Sequence, residues 1–166
     1  MNIIRSTRGT GDDLKLVTAP VVVASDRHSV GYPEAALLTD IPITEEVSLS
    51  TAGLAICSAT MLGMRFVRDD AEDSVSLYLC HGLPTQSEEQ ADQLKSEVRR
   101  SIEAGGTPAF VACLLKWNED NQAIEDVVYN LRASSPGVDG FVAKYFDFAD
   151  VLFGFRNYRV YTEIVT

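Results

Sequence analysis

The chain has 166 residues, 46% of them hydrophobic and 23% charged, with a formal net charge of −10. That composition suits one globular domain with a sizeable core. It excludes a membrane helix, because no run approaches the ~20 apolar residues such a helix needs, and a nucleic-acid face, because 14 Lys and Arg residues are scattered with Arg99-Arg100 as their only pair.

Residues 1–16 are polar and rich in Gly and Asp, and read as a flexible lead to a single domain over 17–166. The N-terminus lacks the apolar segment of a Sec signal peptide. The expected location is the cytoplasm, or outside the cell by a route that leaves no such mark. Val21-Val22-Val23 predicts a strand within Val17 to Ala24. Ser25 to Asp40 reads as loop with one helical turn at Ala35-Ala-Leu-Leu38, and Ile41 to Leu49 as a short extended piece.

Leu49 to Val67 is the apolar centre, expected as a strand covered on both faces. The charged run Arg68 to Asp73 predicts a hairpin connection. Ser74 to Cys80 alternates with period two, the mark of a strand, which sets Cys57 and His81 on neighbouring antiparallel strands.

Thr85 to Ala104 predicts a helix. Thr85-x-x-Glu88 and Ser87-x-x-Gln90 both fit a capping box, Ala91, Leu94, Val98 and Ile102 form the apolar stripe, and Gly105-Gly106 ends it. Thr107 to Trp117 reads as a strand, Gln122 to Ala133 as a second amphipathic helix, and Phe141 to Phe148 and Phe155 to Val165 as the last two strands. The order implies an α+β fold, a mixed sheet or sandwich with two main helices packed on one side.

The candidate chemistry lies in Thr51-Ala-Gly-Leu-Ala-Ile-Cys57 and Leu79-Cys-His-Gly-Leu-Pro84. A thiol attacks carbonyl carbon as thiolate and needs a base to take its proton; histidine suits that task, and a hydroxyl can orient the histidine. Cys57, His81 and Thr51 have those three types. The bland reading of Cys57 is a small core residue, and of His81 a loop-bonding side chain. Cys80 faces away from its neighbour His81. Cys113 reads as core and Asp69 to Asp73 as a solvated turn; His28 is the competing histidine, which Asp26 could orient, and its bland reading is a solvated loop residue. Three cysteines and two histidines without metal spacing predict no disulfide framework, no metal and no cofactor.

Thr-x5-Cys on one strand, then His-x-Leu-Pro leading into a long helix, resembles the chemoreceptor glutamine deamidase family (CheD). The deamidating bacterial toxins of the cytotoxic-necrotizing-factor and Burkholderia lethal-factor type share its catalytic plan. The likeness covers roughly residues 49–117. It implies Cys57 as nucleophile, His81 as base and Thr51 as a positioning residue, in a hydrolase that converts protein glutamine to glutamate. The family's glycine immediately before the nucleophile is absent: Ala55-Ile56 stand there, and the glycine is Gly53.

The partner expected on this reading is a protein substrate, with the acidic surface favouring a basic one. The alternative is a non-catalytic α+β interaction or assembly protein, a homo-oligomer built through the aromatic residues between Phe141 and Tyr161.

Overall fold

The computed structural model describes residues 3–6, 15–17, 27–29, 35–135, 137–156 and 159–165. Strands β1 (Ile3–Ser6), β2 (Lys15–Val17), β3 (Arg27–Ser29), β4 (Ala35–Pro42), β5 (Val47–Leu54), β6 (Ser58–Phe66) and β7 (Ser74–Gly82) come first. A 3-10 turn (Pro84–Gln86) leads into helix α1 (Ser87–Glu103). Strand β8 (Thr107–Lys116), helix α2 (Gln122–Ser134), and strands β9 (Asp139–Tyr145), β10 (Ala149–Arg156) and β11 (Arg159–Val165) follow.

These strands form two sheets, ordered β2-β1-β11-β10-β5-β3 and β4-β7-β6-β8-β9. The inner faces pack on one another through Leu49, Val151 and Phe153 from the first sheet and Met61, Leu77, Leu79 and Leu114 from the second. Alternate residues of the second sheet, among them Leu62, Val111 and Cys113, face outward and are covered by Ala91, Leu94 and Val98 of α1 and Ile124, Val127 and Val128 of α2. The fold is therefore α+β, a two-sheet sandwich with both helices on one side. Near-continuous apolar strands such as β6 and β8 are explained by this burial on both faces. Among the described residues no helix is long and apolar enough to cross a membrane.

Several expected elements are drawn differently. Where a lead is expected over 1–16, Ile3–Ser6 and Lys15–Val17 pair as β1 and β2 at one end of the first sheet. The expected strand at Val21 to Val23 lies outside the described residues. Ala35-Ala-Leu-Leu38 is extended rather than helical, because pairing of β4 with β7 supplies long-range hydrogen bonds that outweigh a short helical preference. His28 belongs to β3, parallel to β5, rather than to a loop.

The apolar centre is two strands, not one: the chain leaves the first sheet after Leu54 and enters the second at Ser58. A continuous apolar pattern carries no mark of such a crossing, since both strands are buried. The Arg68 to Asp73 run does connect a hairpin, β6 to β7, in which Arg65 pairs with Asp73 at 2.5 Å.

Neither expected capping box closes α1. Gln86 is its N-cap and makes no side-chain cap bond; its Oε1 instead accepts the Leu83 N–H at 3.4 Å. Ile102 leaves the apolar stripe and is half exposed. The chain ends in three strands rather than two, because Asp150 to Gly154, expected as a connection, lies inside β10.

Candidate functional site

The crossing from β5 to β6 builds the site. Val47, Leu49 and Thr51 follow the two-residue period and face the space between the sheets. Gly53 then takes a left-handed conformation, φ 75°. Its N–H donates to Asp150 Oδ1 at 2.8 Å, where β10 bulges between Ala149 and Val151. A bulge re-aims the strand that carries it. Ala52 and Gly53 turn outward, and burial resumes with a spacing of three at Thr51, Leu54 and Cys57. The bulge thus lets both ends of Thr-x5-Cys face inward although the chain changes sheets between them.

His81 enters from β7. It pairs with Ala59, on the same face as Leu77 and Leu79. Its Nδ1 and the Thr51 Oγ1 lie 2.6 Å apart, a hydrogen bond that spans the two sheets. Cys57 stands two residues before Ala59, packed in the same intersheet core. Thr51, His81 and Cys57 are 1%, 5% and 8% exposed. The structure therefore brings Thr51 and His81 into direct contact and places Cys57 on the crossing that follows β5, in the same intersheet core.

Two supports hold this end. The Tyr145 hydroxyl donates to the Cys57 carbonyl at 2.7 Å, which fixes the crossing to the end of β9. On the helix side Gln90 Oε1 accepts from the Ser58 hydroxyl at 2.9 Å, and Gln90 lies over Gly82, where an added Cβ would fall 1.2 Å from its Nε2. One buried helix side chain thus touches the neighbour of Cys57 and the neighbour of His81.

Burial lowers the His81 pKa, so the ring is neutral at neutral pH. Burial also raises the Cys57 pKa, against opposing backbone hydrogen bonds at Ile56, Ala55 and Cys57 itself. Cys57 therefore rests as a thiol and His81 as a neutral imidazole. The backbone around the sulfur favours negative charge there without a glycine next to the cysteine. In the tautomer protonated at Nδ1, His81 donates to Thr51 Oγ1 and its Nε2 lone pair is the basic site.

The other named residues stay apart from this site. Cys80 and Cys113 face the helices; burial pushes their pKa values up to about 11 and about 12. Thr60 Oγ1 lies 3.3 Å from Cys113 Sγ. Asp73 is engaged with Arg65 and the Arg68 N–H. Among the described residues no group of His, Cys, Asp and Glu is placed to hold a metal ion. Of the aromatic run, Tyr145, Phe153 and Phe155 are core, whereas Phe146 and Phe148 are exposed.

Tyr145, Gln90 and Asp150 are supports that sequence reasoning did not connect with the site, and Gln90 it placed in a capping box. Gln90 carried a signal, a polar residue beside Ala91 and Leu94 on the apolar stripe. Tyr145 carried none that separates it from its aromatic neighbours. No protein-family model, curated protein or solved structure matches the chain.

Proposed function

We propose that the protein is a cysteine hydrolase acting on carboxamides, and more narrowly a protein-glutamine deamidase of the kind the Thr51, Cys57 and His81 pattern resembles. The observation that carries this reading is the 2.6 Å bond between Thr51 and His81 across the two sheets, with Cys57 on the crossing that joins those sheets.

In this mechanism Cys57 Sγ attacks the carboxamide carbon as its proton passes to His81 Nε2. The imidazolium returns that proton to the nitrogen as the C–N bond breaks, and ammonia leaves. The acyl group remains on sulfur as a thioester. Water, deprotonated by His81, attacks the thioester; the C–S bond breaks, the thiol regains its proton, and a carboxylate departs. Thr51 holds the ring through Nδ1 in both halves. The Ile56 and Cys57 backbone N–H groups are the donors suited to the developing oxyanion.

The test is incubation with glutaminyl peptides, reading ammonia release and the mass change of amide-to-acid conversion. Turnover that disappears in Cys57→Ala supports the reading; no turnover of any carboxamide sinks it. The second reading is a non-catalytic interaction or assembly protein. The near-complete burial of Cys57 and its raised pKa favour it, and the same assay decides between them.

A further inference from the structure

We infer that the rim of the sandwich beside Cys57 is a docking surface for a polypeptide segment with bulky apolar side chains flanking its glutamine and a positive charge beyond them. This rests on the deamidase reading and names its substrate class.

Two chain crossings between the sheets lie side by side on this rim. One is Ala55 to Cys57. The other is Phe146 to Phe148, between β9 and β10. The pairing of Leu54 with Ala149 makes Ala55 and Phe148 neighbours, and the Tyr145 hydroxyl joins the second crossing to the carbonyl of Cys57. Ile56, Trp117, Phe146 and Phe148 are each about half exposed or more, with Phe146 at 66%. They are four of the eight large hydrophobic side chains exposed among the described residues. The Trp117 and Phe146 rings pack 5.3 Å apart at 31°.

The platform is held in place from behind. The Trp117 N–H donates to the Tyr145 carbonyl at 2.9 Å. Lys116 Nζ donates to the carbonyls of Phe146 and Asp147 and lies 5.2 Å from the centre of the Tyr145 ring. Lys116 is thereby engaged with the backbone of the rim itself. Asp147, exposed between Phe146 and Phe148, and Glu119, whose charge acts on Tyr145, leave the fringe acidic.

Exposed aromatic clusters of this kind mark binding surfaces, and Trp and aromatic anchors carry most of the energy in such contacts. Free glutamine has no apolar surface to cover four such side chains. A peptide with apolar neighbours does, and a basic residue complements the fringe and the net charge of −10.

Trp117 is the sole tryptophan, so its emission reports the rim directly. The probes are acetyl-Lys-Phe-Gln-Phe-Lys-amide and its counterpart with glycine in place of both phenylalanines, titrated into Cys57→Ala so that no turnover intervenes. The expected result is a saturable blue shift with the first peptide, at least about tenfold weaker with the second. Phe146→Ser and Phe148→Ser should each weaken the first peptide by about tenfold, whereas Val67→Ser, an exposed apolar residue on the β6–β7 connection, should not.

Equal shifts from both peptides, or none, overturn the proposal. So does equal weakening by Val67→Ser. A blue shift on concentrating the protein alone overturns it in favour of a second copy on the rim. Because binding is read without hydrolysis, failure here is distinct from failure to release ammonia.

Discussion

Each face of the second sheet meets a threonine contact and has a buried cysteine on its side, and the two faces differ in what surrounds them. On the helix side Thr60 meets Cys113 at 3.3 Å beneath α1 and α2, and Cys113 has no exposure. On the sandwich side Thr51 meets His81 at 2.6 Å, and Cys57 follows the exposed residues Ala55 and Ile56. Residue types are shared; position relative to a chain crossing is not. Burial alone makes a thiol inert, and what separates Cys57 from Cys113 is its place on a chain crossing at an edge where the backbone reaches solvent. The groove of about 400 Å³ between the two helices, lined by Val98, Ile102 and Val127, lies on the helix side and so is separated from Cys57 by the sheet.

The largest expected break in that comparison is chemical. Cys57→Ala should lower carboxamide hydrolysis by at least about a thousandfold, as loss of a nucleophile does. Cys113→Ala should leave turnover near native while costing about 1 kcal/mol of stability through the small cavity it opens. Ammonia release and urea unfolding on the two variants measure both. In the native protein iodoacetamide should modify Cys57 well before Cys80 or Cys113, and labelling should climb with pH through the alkaline range, because the thiol pKa is raised. Equal labelling of all three in the folded state would erase the distinction between the faces.

The threonines give the next contrast. His81→Gln should reduce hydrolysis by about 10²–10⁴-fold, the usual worth of a general base. Thr51→Val strands the imidazole Nδ1 in the core and should cost about 1–3 kcal/mol of stability, with a fall in kcat that Thr51→Ser restores. Thr60→Val, on the other face, should affect urea unfolding and spare kcat. A Thr51→Val enzyme with native kcat would show that the intersheet bond is structural only.

The pH dependence follows from His81. Its folded pKa is below the ordinary value of 6.5, so the unfolded chain binds the proton first as pH falls. Stability from the neutral buried ring is therefore complete above 6.5 and is lost as pH drops from there through the folded pKa. The native urea midpoint should fall between pH 7.5 and pH 5.5 by more than that of His81→Gln, and the acid limb of kcat/KM should lie below 6.5. An acid limb above 6.5 would mean that a different group is the base.

The sequence made some of this legible, and the reasons are physical. Period-two alternation of residue type in Ser74 to Cys80 and period 3.6 in α1 follow local geometry, so β7 and the helix could be read directly. The β6–β7 hairpin that carries His81 beside Ala59 was legible because a charged connection, Arg68 to Asp73, lies between the two strands. The crossing at Ala55 to Cys57 was not, since leaving one buried sheet for another changes no residue's polarity. The same blindness merged Asp150 to Gly154 with a loop, because Asp150 is the bulge residue that answers Gly53. Which aromatic residues between Phe141 and Tyr161 are exposed was not legible either, because exposure of an aromatic residue is set by topology rather than by its own sequence neighbourhood.

The smallest expected effect tests that crossing. Gly53 and Gly82 stand near the two halves of the site for different reasons. Gly82 is required by packing, since a Cβ there meets Gln90. Gly53 has open space around it, with nothing within 4 Å of an added Cβ, and is required only by its φ of 75°. Gly53→Ala should therefore cost about 1–2 kcal/mol, the strain of an L side chain in the left-handed region, and Gly53→Asn less, because asparagine tolerates that region better. Asp150→Asn should leave the Gly53 N–H an acceptor, whereas Asp150→Ala removes it and should add to the strain. The three-residue spacing of Thr51, Leu54 and Cys57 depends on this turn, so kcat should fall with stability across Gly53→Asn and Gly53→Ala. A Gly53→Ala protein with the native urea midpoint and native kcat would mean that β5 reaches the crossing without the bulge, and the coupling between bulge and site would have to be abandoned.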